Sequence, residues 1–352
     1  MALKTRKPTG MVPPPLCLLE GETGSGRSWA AVELSASPKV GRTLWIELGK
    51  ETTADQYGAI PGARYEIVTP DNASETWDWH SLYGAVKDAK ADAGRAAEAG
   101  ERPTVLTIDQ GGAVWDMLSE WADNRARSTK SNRAKLAENP NYEYTIGSNF
   151  WNDATARWDR LMAQLLTFPG IVVLLSNGQE VTLFENGQPT PRKTWKVAGQ
   201  KDFTKAVPIW VRLSRDADPR IIKLRAVRNG IRPGADREER VRDFSLEWLI
   251  FERYGWNPAT SGSREMVPMV AGDEAPESPR CASFLVGVET AEDLLALERI
   301  WPHVVKAVRD GEISEAEGTR IKDALRVAKE RFSAEHDAAG RTQPDETVGA
   351  SA

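Results

Sequence analysis

The chain reads as alternating apolar and polar blocks, each block ended by a turn signal. Leu16-Cys-Leu-Leu-Glu20 is a short apolar run, residues 21–27 are glycine-rich, and helix formers follow from Ser28 to about residue 36. That order predicts a buried strand, a tight loop and a helix. Further strands are predicted at 43–48, 64–69, 104–109 and 171–176, the last a continuous apolar run of the kind covered on both faces. Helical spacing falls at 74–98, with a break at Gly84 and a stop at Gly100, at 113–125, and at 149–168 before Pro169-Gly170. In the last of these Trp151, Trp158, Leu161 and Leu165 share one face and read as core.

Residues 181–198 pattern as a hairpin about Asn186-Gly187, followed by strands at 208–213 and 220–225 and a helix at 245–254. Two more helices, 290–309 and 314–333, flank Gly311, with Thr290/Asp293 and Ser314/Glu317 as capping pairs. Strands alternating with helices predict an α/β fold with a mostly parallel sheet and a ligand at the carboxyl ends of its strands. The expected organisation is a mobile basic arm over 1–14, an α/β domain over 15–256, a linker over 257–285, a helical hairpin over 286–334 and a disordered tail over 335–352.

Composition narrows the classes. A chain of 352 residues, 40% hydrophobic, has room for about two domains, or for one large α/β domain with an appendage, and for a sizeable core. Cys17 and Cys281 make neither a disulfide framework nor a zinc cluster, which leads us to expect a reducing cytoplasm. None of the three histidines sits at metal-ligand spacing. No apolar run reaches bilayer length and the polar, proline-rich start is not a signal peptide, so no membrane partner is expected. A net charge of −5 argues against coating nucleic acid through overall charge and leaves local basic patches as the route to it.

The chemistry concentrates in Gly21-Glu22-Thr23-Gly24-Ser25-Gly26-Arg27-Ser28. Glycines at these positions let successive backbone N–H groups turn inward on one anion, and the helix that follows adds its positive end. The spacing is that of a Walker A phosphate loop, with Arg27 where lysine is usual. The swap keeps the charge but replaces a slim ammonium with a longer, forked guanidinium, so binding is expected to survive better than hydrolysis. The apolar strand that ends in Asp109 has the Walker B pattern. Ser28 and Asp109 would together hold Mg2+ beside the phosphates of ATP. Asn177 and Gln179, after the apolar run at 171–176, are placed to sense the terminal phosphate.

These motifs, with 44–51, 172–180 and the Gly199-Gln-Lys-Asp-Phe to Val211-Arg-Leu ending, resemble the bacteriophage AAA-family and RecA-like P-loop ATP-binding proteins, relatives of the phage RecA-like single-strand annealing recombinases. The resemblance covers about residues 15–250 and implies a RecA-like P-loop core. It implies a catalytic carboxylate after the second strand, Glu47 first and Glu51 second, orienting the attacking water. It also implies that single-stranded DNA is gripped by two loops, one at about 125–148 carrying Arg127, Lys130, Arg133 and Lys135, the other at about 178–200 carrying Arg192, Lys193, Trp195 and Lys196. The implied activity is ATP hydrolysis in phage recombination or annealing, by a homo-oligomeric ring or filament, in the cytoplasm of the host cell. Two other classes stay open: a degenerate nucleotide-binding switch with little hydrolysis, and a P-loop kinase for a small molecule, with residues 212–242 as its arginine-rich lid.

Overall fold

The computed structural model describes residues 3, 5–49, 53–185, 187–227, 229–232, 238–262, 264, 278–289, 291, 293–310 and 312–340. Two compact units divide the chain between residues 266 and 267. The first is α/β, with a mostly parallel mixed sheet. Strand β1 (Leu16–Gly21) lies at its middle, and β2 (Thr43–Glu47), β3 (Glu66–Ile67), β4 (Val105–Asp109), β5 (Ile171–Glu185) and β7 (Ile209–Arg212) complete the parallel part. The order across the sheet is β3-β2-β4-β5-β1-β7, continued antiparallel by β8 (Arg220–Leu224) and β9 (Glu239–Arg240). Strand β6 (Gln188–Val197) folds back antiparallel on β5.

Side chains on successive strand residues point to opposite faces, so a run apolar throughout supplies two cores. Leu16, Leu18, Ile46, Ile108 and Leu174 join one cluster with helices α3 (Trp79–Glu98), α4 (Ala113–Arg127) and α6 (Ser148–Leu166). Cys17, Leu19, Trp45, Val173 and Leu175 join the other, with α1 (Arg27–Ala36) and the residues around a π-helical turn at Trp248–Arg253. Short helices α2 (Ala54–Tyr57), α5 (Lys130–Glu138) and α7 (Phe203–Ala206) lie in the connections.

Several local expectations are corrected. Helix α3 begins at Trp79, where Asp78 and Ser81 form a capping box, and it passes through Gly84 unbroken. The polar stretch after α4 is not all loop, because Thr129 caps α5. Strand β5 does not end at Ser176 but runs on into the hairpin. The arm is fastened near its end: Ser261 Oγ donates to the Val12 carbonyl at 2.9 Å and Arg264 Nη2 to that of Pro14 at 3.4 Å. Asn186 lies outside the described residues.

The second unit holds α8 (Pro279–Glu289), α9 (Leu294–Arg309) and α10 (Glu315–Gly340) around Cys281, Leu297, Val304, Ile321 and Leu325. A helix thus starts at Pro279, inside the segment expected as linker, and α10 runs on into the expected tail. Asp293 itself caps α9 through the Ala296 N–H, and Ser314 and Glu317 bond reciprocally ahead of α10. Thr290 and Gly311 lie outside the described residues. No helix among the described residues is long and apolar enough to cross a membrane.

Candidate functional site

Parallel pairing in register brings the ends of distant strands to one edge of the sheet. Gly21 pairs with Asn177, Glu20 with Arg212, and Glu47 with Asp109. At this edge the chain leaves β1 through the 21–26 turn. Gly24 and Gly26 sit at φ +80° and +88°, conformations that cost other residues about 1–2 kcal/mol. Gly21 is required by closeness, since a Cβ there would lie 2.2 Å from the Leu213 carbonyl oxygen. Helix α1 then starts with Gly26 at its N-cap, no side chain capping it and no acid in its first turn. Its first N–H groups are therefore open to an anion. Thr23 is exposed at the tip, and the Ser25 hydroxyl is buried without a hydrogen-bond partner among the described residues.

Around this turn the predicted residues assemble. Ser28 Oγ donates to Asp109 Oδ2 at 3.0 Å. Burial pushes the Asp109 carboxyl up from its ordinary range, against the Ser28 bond and the Arg27 charge, while Glu47 adds to the rise. Arg27 Nη2 donates to Asn177 Oδ1 at 2.5 Å, and Asn177 Nδ2 donates to Gln110 Oε1 at 3.1 Å. Gln110 holds φ +62°, a strained conformation for a residue with a side chain. Glu47 ends β2 beside Asp109, but its Oε1 accepts the N–H groups of Thr53 at 2.7 Å and Ala54 at 3.0 Å, so that oxygen caps α2. Gln179 lies two residues beyond Asn177, exposed and opposite Lys196. Glu51 lies outside the described residues.

The segments implied to grip DNA lie on the end of α4, on α5 and on the β5–β6 hairpin. Arg127 ends α4, while Lys130, Arg133 and Lys135 ride on α5. Lys135 Nζ bonds the Tyr142 hydroxyl at 3.0 Å. On the hairpin Arg192 pairs with Glu185, and Lys193 with Glu180 at 3.7 Å. Trp195 is half-buried, its Nε1 donating to Glu20 Oε2 at 2.6 Å and the Arg212 guanidinium lying 4.3 Å from its ring centre. Lys196 is exposed.

The residue that ties this edge together, Glu20, belongs to none of the sequence motifs. Glu20, 0% exposed, also accepts Trp210 Nε1 at 3.1 Å and Arg212 Nε at 2.8 Å on its other oxygen. Burial pushes its carboxyl up, and the Arg212 guanidinium and the two indole N–H groups pull against that rise. Gly178 makes the room, since a Cβ there would lie 2.2 Å from Glu20 Oε2. A carboxylate inside an apolar run was the available signal, because buried charge demands a partner. Glu22 lies within the 21–28 turn, and its Oε1 accepts Ser214 Oγ at 3.0 Å and the Arg215 N–H at 2.9 Å. Among the described residues no group of three or more His, Cys, Asp or Glu side chains gathers as a metal site. A comparison with protein-family models and with curated proteins finds no match.

Proposed function

We propose that this chain is an ATP-binding P-loop protein of the RecA-like kind, an ATPase that works with single-stranded DNA in phage recombination or annealing. The observation that carries the nucleotide reading is the meeting, at one sheet edge, of an open helix N-terminus behind a glycine turn with the Ser28–Asp109 pair at 3.0 Å. A hydroxyl beside a carboxylate suits Mg2+, which takes few protein oxygens and keeps water and phosphate as its other ligands. Bound there, Mg2+ would neutralise phosphate charge. Backbone N–H groups of residues 21–28 would cradle the phosphates. Arg27 and Asn177 would meet the outer phosphate oxygens, and the second oxygen of Glu47 would orient water. The interposed strand β5 between β1 and β4 is compatible with a RecA-like core.

One observation favours a second reading, a nucleotide-dependent switch with slow turnover. Arg27 is already engaged by Asn177, and one Glu47 oxygen by α2. The DNA role rests on the family resemblance, since two of the hairpin cations have acidic partners. ATP hydrolysis by wild type and by Arg27→Lys, with and without single-stranded DNA, separates the two. Faster turnover by the lysine variant places the brake at Arg27, and no gain refutes it. Stimulation by single-stranded DNA supports the recombinase-like role, and equal rates refute it.

A further inference from the structure

The phosphate-like loop does not stand alone: the residues after β7 run alongside it. The Leu213 N–H donates to the Glu20 carbonyl at 2.8 Å, and the Arg215 N–H donates to the Glu22 carboxylate at 2.9 Å. The Ser214 hydroxyl donates to the same Glu22 oxygen. A carboxylate inside an anion-binding loop would oppose its ligand, and here its Oε1 is occupied by these two donors and serves as a clip. Burial pushes the Glu22 carboxyl up, but the Arg215 N–H, the Ser214 hydroxyl and the Arg215 charge outweigh it and hold the carboxyl below its ordinary range.

The clip has a geometric consequence. With its backbone fixed, Arg215 lays its side chain over the loop: a Cβ built at Gly24 would lie 3.6, 3.7 and 3.8 Å from Arg215 Cδ, Nε and Cζ. The contact is ordinary van der Waals approach, so the guanidinium covers the glycine without strain. Arg215 is exposed, and among the described residues its guanidinium donates to no carboxylate or carbonyl. Arg27, by contrast, already donates to Asn177.

We infer that Arg215 is a second phosphate-binding cation, supplied by the turn after β7, and that Glu22 is the positioning residue that holds it over the loop. The inference rests on the phosphate-site reading above and adds to it a residue outside the loop motif. A guanidinium so placed offers in-plane N–H donors to phosphate oxygens, which suits it to an oligophosphate.

Titration calorimetry with MgATP, with inorganic triphosphate and with adenosine tests this on the full chain. Arg215→Ala is expected to weaken ATP and triphosphate by roughly tenfold or more, as loss of a charge-assisted bond does. Adenosine is the control and should not change. Arg215→Lys should recover part of the loss. Glu22→Gln keeps an acceptor for the Arg215 N–H and should bind like wild type, whereas Glu22→Ala should resemble Arg215→Ala. Unchanged melting temperatures identify variants that fold. If Arg215→Ala binds triphosphate like wild type while Ser28→Ala does not, the clamp is overturned and the loop reading stands. If triphosphate binds and depends on Arg215 but ATP does not bind, the clamp stands and the ATP reading falls. If wild type binds neither, both fall.

Discussion

Removing the Glu20 side chain should unsettle the sheet edge that it holds together. Its carboxylate is fully buried and takes three donors, from Trp195, Trp210 and Arg212. Glu20→Ala leaves a guanidinium and two indole N–H groups facing a cavity. Breaking a buried charge pair from one side costs about 3–5 kcal/mol. The Arg212 side chain is 19% exposed, so water reaches it and the lower figure applies. With an m-value of about 3 kcal/mol/M in urea, a loss of about 3 kcal/mol moves the midpoint of unfolding down by about 1 M. Tryptophan emission in a urea titration reads this directly. Replacing a buried charged pair by apolar side chains of similar volume is often neutral or stabilising. Glu20→Leu combined with Arg212→Met should therefore regain part of what Glu20→Ala loses. Additivity of the single variants within about 0.5 kcal/mol would refute the coupling, as would a midpoint shift too small to measure.

Gly178→Ala drives a methyl to 2.2 Å from Glu20 Oε2 and 2.6 Å from Trp195 Nε1. It should cost about 1–3 kcal/mol and speed proteolysis within residues 178–197, and an unchanged melting temperature and cleavage rate would contradict the drawn contact. Lys223 gives the pH test. Burial, with help from Arg225, lowers its ammonium from 10.5 to about 8, although its Nζ donates to the Thr204 and Lys205 carbonyls. Between those two values the unfolded chain binds more protons than the folded one, so this group's contribution to stability rises with pH there and is lost as pH falls through about 8. Carbon-13 NMR of labelled lysine should show one ammonium titrating near that value in wild type and absent from Lys223→Met.

Much of this molecule is written in short-range pattern. Apolar runs of strand length, glycines where positive φ is needed, and the run ending in Asp109 act over a few residues, so they are legible in the chain. The turn at 21–27 and the alternation of strands with helices follow from them. Helix limits were less legible: a capping box at Asp78 and a cap at Thr129 decided where α3 and α5 begin. What no local pattern holds is which strand ends become neighbours. Arg27 meets Asn177, Glu20 meets Arg212 and Trp195, and Glu22 meets Arg215 only because β1 lies between β5 and β7. That order is chosen by burying both faces of the sheet at once, a condition on the whole chain. The loop belongs to the sequence, and its company belongs to the fold.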